Sequence, residues 1–86
     1  MTDDGHLDGN AMGGLLLELF GQEMTGRLGC CGACGAVNAL GAVIVYRRAP
    51  GDVMRCPNCG TVLMVVVPLT VGFRISFEAI RWVEAV

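Results

Sequence analysis

Cys31-Gly32-Ala33-Cys34-Gly35 and Cys56-Pro57-Asn58-Cys59-Gly60 are two copies of one device. In each, two residues separate a pair of cysteines and a glycine follows the second. So short a spacing forms a tight turn that aims both sulfurs at a single point. Pro57 presets the backbone of its turn. At Gly35 and Gly60 the pattern predicts backbone N–H groups turned toward the sulfurs, where a Cβ would crowd them. The 21 residues between Cys34 and Cys56 suffice for one antiparallel hairpin whose base brings the two turns together. That count is one beyond the usual range for paired CxxC metal sites, an excess that a single loop residue absorbs. Cys31, Cys34, Cys56 and Cys59 are therefore the expected ligands of one metal ion.

Sulfur-only tetrahedral sites select zinc or iron. CxxCG…CPxCG is also the pattern of rubredoxin, an iron electron carrier. Rubredoxins are richer in acidic and aromatic residues around the site, whereas Phe20, Tyr46, Phe73, Phe77 and Trp82 lie mostly far from the cysteines in sequence. Zinc is the expected ion and iron the alternative. A redox dithiol is disfavoured, because such pairs sit at strand-to-helix junctions with an exposed, low-pKa first cysteine. Both pairs here are glycine-flanked and lie between β-like runs. Four thiolates close the coordination sphere, whereas a catalytic zinc keeps a place for water. The single histidine, His6, falls in an acidic arm and reads as a solvated residue. No nucleophile–base pair stands out, so no catalytic residues and no enzyme activity are expected. Binding energy in comparable small sites is ~10–16 kcal/mol, as large as the whole stability of a typical domain at roughly 5–15 kcal/mol. The ion is expected to be structural. Cys30, one residue too far from Cys34 for the knuckle, reads as a small packed residue outside the ligand set.

The rest of the 86-residue chain fits a single small domain. Residues 1–9 are polar and acidic and are expected to form a flexible arm. A helix is predicted over about Ala11–Phe20, with Met12, Leu15, Leu16, Leu19 and Phe20 at helical spacing. Asp8 or Asn10 can cap its start, and Gly21 stands where a left-handed C-terminal residue would. Gly13 and Gly14 weaken it by about 1 kcal/mol each relative to alanine, so it must dock on something through the face around Leu15 and Leu19. Strands are predicted over Met24–Gly29, Gly41–Arg48, Asp52–Arg55 and Thr61–Val67, with a turn at Ala49-Pro50-Gly51 and an end at Pro68. Phe73, Ile75 and Phe77 alternate with Arg74, Ser76 and Glu78 as a half-buried strand should. Residues 79–86 are compatible with strand or helical turn. The expected fold is a small mostly-β zinc ribbon of the rubredoxin-like two-knuckle type with one short N-terminal α-helix. Residues 1–23 form the acidic arm plus helix, and residues 24–86 the ribbon.

Net charge is −2, with eight acidic residues against six arginines and no lysine. Four thiolates on one divalent ion would take the total to about −4, a poor match to a phosphate backbone. Tyr46, Arg47, Arg48 and Arg55, with Arg27, could form a local nucleic-acid contact with an aromatic stacker. The plainer reading is that these arginines offset the metal site and pair with Asp52 or the acidic arm. Hydrophobic residues make up 53% of the chain, which leaves two readings open. Either apolar surface is covered by a protein partner or a second copy, or glycine-sized and β-branched residues inflate the figure. The longest apolar run, Val62–Val67, is far short of the ~20 residues a bilayer needs, and the acidic start Met1-Thr2-Asp3-Asp4 is unlike a signal peptide. A cytoplasmic, reducing location is expected for the free thiols.

The stretches His6-Leu7-Asp8-Gly9-Asn10-Ala11, Phe20-Gly21-Gln22-Glu23-Met24-Thr25 and Tyr46-Arg47-Arg48-Ala49-Pro50-Gly51-Asp52-Val53-Met54-Arg55-Cys56-Pro57 resemble a family of short actinobacterial zinc-ribbon proteins classed as a domain of unknown function. The resemblance covers most of the chain. It implies the same two cysteine pairs and a zinc-ribbon fold, and it implies no activity. An arginine-rich, lysine-free composition is consistent with a GC-rich bacterial genome.

Overall fold

The computed structural model describes residues 6–48 and 51–84. It contains eight strands and one α-helix: β1 (His6–Asp8), α1 (Gly13–Phe20), β2 (Leu28–Cys31), β3 (Val37–Ala39), β4 (Ile44–Arg48), β5 (Gly51–Arg55), β6 (Val62–Pro68), β7 (Phe73–Phe77) and β8 (Ile80–Val83). Single 3-10 turns at Gly9–Met12 and Leu40–Ala42 lead into α1 and β4. The strands form a five-stranded sheet in the order β1-β4-β5-β6-β7 and a three-stranded sheet in the order β3-β2-β8, with every pairing antiparallel.

Alternation along the strands builds the core. Val45, Met54 and Met64 stand directly opposite one another across β4, β5 and β6, and all three are at most 1% exposed. The register slips between Met54 and Arg55, and beside that bulge both Leu63 and Met64 turn inward. Cys31 joins this layer from the small sheet and Leu40 from the 3-10 turn that follows it, and Met12, Leu16 and Met24 close it from the N-terminal side.

The helix begins later than its apolar spacing predicts. The Asp8 carboxylate accepts a hydrogen bond from the Asn10 N–H, as expected of a cap, but it caps a 3-10 turn, and the α-helical stretch starts at Gly13. Two glycines in the first turn account for the delay, since each costs about 1 kcal/mol in an α-helix. Gly21 ends the helix in the left-handed region, with φ +72°, and its N–H donates to the Leu17 carbonyl. Leu16 is the residue this helix buries, with Leu15 and Phe20 packed beside it. Leu17 and Leu19 remain exposed.

Several other expectations are corrected. His6–Asp8 is an edge strand paired with β4, where a loose arm was expected. Met24 is a fully buried core residue ahead of a turn, so the first ribbon strand is Leu28–Cys31 rather than Met24–Gly29. Gly41 lies in a 3-10 turn, and the strand predicted from it starts at Ile44. A Cβ on Gly41 would stand 2.6 Å from Asn10 Oδ1, so this glycine admits a close approach between the two 3-10 turns. The segment between Cys34 and Cys56 is more than one hairpin: it holds β3, the Leu40–Ala42 turn and the β4–β5 hairpin. Phe77, opposite Met64 on the edge strand β7, is 55% exposed, because that strand has a neighbour on one side only. Residues 80–83 resolve as strand β8. The Ala49–Pro50 part of the predicted turn, residues 1–5 of the arm and residues 85–86 lie outside the described residues.

Replacing Leu16, at 0% exposure, with alanine should cost about 2–5 kcal/mol. Leu17→Ala, at a 49% exposed site on the same helix, should change stability by less than about 0.5 kcal/mol. Chemical denaturation of the two variants checks this contrast.

Candidate metal centre

Each cysteine pair sits at the tip of its own hairpin, the first between β2 and β3 and the second between β5 and β6. The two tips share one backbone plan. Cys31 N–H donates to the Ala36 carbonyl at 2.9 Å, and Gly35 N–H donates to the Cys31 carbonyl at 2.8 Å. In the second tip Cys56 N–H donates to Thr61 O at 2.9 Å, and Gly60 N–H to Cys56 O at 2.9 Å. Gly35 and Gly60 adopt φ +77° and +79°. A Cβ at either would meet nothing within 4 Å, so the left-handed backbone is what calls for glycine there, and crowding of the sulfurs is not the reason.

The tips face each other, and the four sulfurs converge within 4.8 Å of one another. The Cys31–Cys59 and Cys34–Cys56 sulfur pairs are each 3.7 Å apart. Four ligands about 2.3 Å from a central ion stand about 3.8 Å apart at the corners of a regular tetrahedron. Disulfide sulfurs would be about 2.05 Å apart, and all the cysteines are free. The site can therefore hold one tetrahedrally bound metal ion. Cys31 and Cys56 form its buried half, backed by Leu40, Val43 and Leu63, while Cys34 and Cys59 face outward. Cys30 is buried and stands outside this group, its Sγ 3.7 Å from the Cys31 carbonyl.

Polar groups already point at the sulfurs. Asn58 N–H lies 3.4 Å from Cys56 Sγ, and the Thr61 hydroxyl is 3.1 Å from Cys59 Sγ. The Thr61 hydroxyl and then its backbone N–H hold the Cys59 thiol down at about 6. At Cys34 the Ala36 backbone N–H pulls the same way, but desolvation and the neighbouring sulfurs of Cys56, Cys59 and Cys31 outweigh it and push the thiol up to about 12. The opposition is physical: clustered sulfurs cannot all ionise until a cation sits among them. Thr61, Asn58 and Ala36 escaped the sequence reading, and their only signal is a fixed offset from the cysteines.

The arginines are split between the two faces of the sheet, and Arg47 pairs with Asp52 as the plainer sequence reading expects. Strand alternation turns Arg47 to the face opposite Tyr46 and Arg55. Arg47 donates to the Ala11 carbonyl at 3.0 Å and lies 3.7 Å from the Asp52 carboxylate. Arg55 donates to the Gly60 carbonyl at 2.8 Å, with its guanidinium 6.0 Å from the Tyr46 ring centre. Arg48 pairs with Gly51 at the end of the β4–β5 ladder, and Arg27 is half-buried before β2. His6 lies in β1, paired with Tyr46 in the ladder.

A model of a family of unknown function, DUF6510, matches residues 3–86. The chain belongs to the DUF6510 family. Searches of the curated proteins and of the solved structures found no match. For this DUF6510 protein the four-sulfur group is thus the feature with the most specific chemistry. Among the described residues, no helix is long and apolar enough to cross a membrane.

Loading the metal-free protein at pH 7 with a thiophilic divalent ion should release at least the Cys34 proton, because a thiol pushed up to about 12 is protonated there. Protons compete for the same sulfurs, so affinity should fall as pH falls. An indicator titration in weak buffer should show acidification on loading, and its absence would count against this proton balance.

Proposed function

We propose that Cys31, Cys34, Cys56 and Cys59 hold one Zn2+ as a structural centre, and that the chain is a non-enzymatic zinc ribbon acting as a protein-interaction module. The convergence of four cysteine sulfurs from two matching hairpin tips carries this reading. A set of four thiolates leaves no position for a water or substrate, and that is the coordination of structural rather than catalytic zinc. Free thiols suit a reducing cytoplasm. The lysine-free composition suits the actinobacterial ribbon proteins that the chain resembles.

Exposed apolar groups support the interaction role. Val37, Cys30 and Trp82 are directly opposite one another across β3, β2 and β8. Val37 and Trp82 are 48% and 44% exposed, and Leu28 on the same face is 38% exposed. A row of this kind is a candidate contact for a protein partner or a second copy. The engagement of Arg47 and Arg55 with carbonyls of their own chain favours this over the nucleic-acid reading of Arg47, Arg48 and Arg55.

Purified from its native cell, the protein should be colourless and carry one zinc per chain by elemental analysis. A coloured protein with one iron per chain would replace this reading with the rubredoxin-like one. Removing the metal with a chelator should unfold the two hairpin tips, seen as loss of amide protection around residues 28–39 and 51–68.

A further inference from the structure

The two hairpin tips share a second feature beyond the cysteines. In each, the residue just before the first cysteine reaches the carbonyl of the glycine just after the second. Arg55 donates to Gly60 O at 2.8 Å, whereas the Cys30 thiol lies 3.8 Å from Gly35 O. The backbone bonds of the tips differ by no more than 0.1 Å, so this contact is where the halves diverge.

The carbonyl matters because of what lies across the same peptide bond. Gly60 C=O and Thr61 N–H belong to one planar unit and point in opposite directions. Thr61 in turn places its hydroxyl 3.1 Å from the Cys59 sulfur. Gly35 C=O and Ala36 N–H are related in the same way in the first tip. Fixing the carbonyl therefore fixes the peptide that carries Thr61 beside a ligand sulfur. A guanidinium makes a charge-assisted bond, shorter and about twice as strong as a neutral one. A thiol at 3.8 Å makes only a weak one.

We infer that Arg55 is a positioning residue for the metal: by latching the Gly60 carbonyl it locks the Gly60–Thr61 peptide, so that the Thr61 hydroxyl stays against the Cys59 sulfur and holds that ligand in place. Cys30 is the soft counterpart in the first knuckle, which makes the second knuckle the firmer half of the grip. The inference rests on the metal-centre reading above and adds to it the residue that retains the ion.

The test uses the full chain loaded with zinc. Arg55→Met should lose zinc to a chromophoric chelator about 10–100-fold faster than the parent, the usual effect of removing a group that orients a ligand. Arg55→Lys should recover part of the loss. Cys30→Ala should stay within about threefold, since the thiol contact it removes is weak, and so should Tyr46→Leu, since it leaves the Arg55–Gly60 bond in place. Cadmium NMR of the loaded proteins gives a readout that general destabilisation does not move. The shift should change in Arg55→Met, return toward the parent in Arg55→Lys, and hold in Tyr46→Leu. Parent-like zinc retention and cadmium shift in Arg55→Met would overturn the inference while leaving the metal centre intact. A parent protein that binds no zinc would overturn both.

Discussion

Four sulfurs brought within 4.8 Å of one another set the terms for the rest of this fold. Unligated, such a cluster is unfavourable, because thiolates repel and the buried pair, Cys31 and Cys56, is shielded from water. A divalent cation reverses the sign of that interaction. The proposed ion joins two hairpins that otherwise belong to different sheets, β2–β3 and β5–β6. The Asn38–Asn58 amide pair also spans the two tips, at 3.4 Å, a long and exposed hydrogen bond worth little beside a metal.

The arrangement explains how so short a chain supports two sheets. The core is built largely from side chains of moderate size, Met12, Leu16, Met24, Leu40, Met54 and Met64, with valines between them. Methionines fill irregular gaps well but specify a packing arrangement weakly. In the proposed account the metal supplies the specificity that this core lacks. The Asn58 N–H and the Thr61 hydroxyl then meet the sulfurs of Cys56 and Cys59, and Arg55 fixes the Gly60 carbonyl behind them.

Much of this was legible in the sequence wherever the signal was local. The ligand spacing, the Asp8 cap, the left-handed Gly21, the β-branched strand ending at Pro68 and the inward Leu16 all depend on neighbours within a few residues. The small sheet was not legible. Its strands are three or four residues long, and β2 gains its partner β8 through pairs such as Gly29 with Val83, far apart in the chain. Met24 misled for a related reason: its burial is tertiary, and a methionine before a threonine carries no turn signal. Arginine proximity in sequence also misled, because alternation in β4 separates Arg47 from Tyr46 and only the ladder places Arg55 beside that ring.

The central claim is a closed shell of four sulfurs around one zinc. X-ray absorption at the zinc edge of the loaded protein tests it most directly. The account predicts a single shell of four sulfur scatterers at about 2.3 Å with no nitrogen or oxygen neighbour. A mixed shell, or one with fewer than four sulfurs, would contradict it.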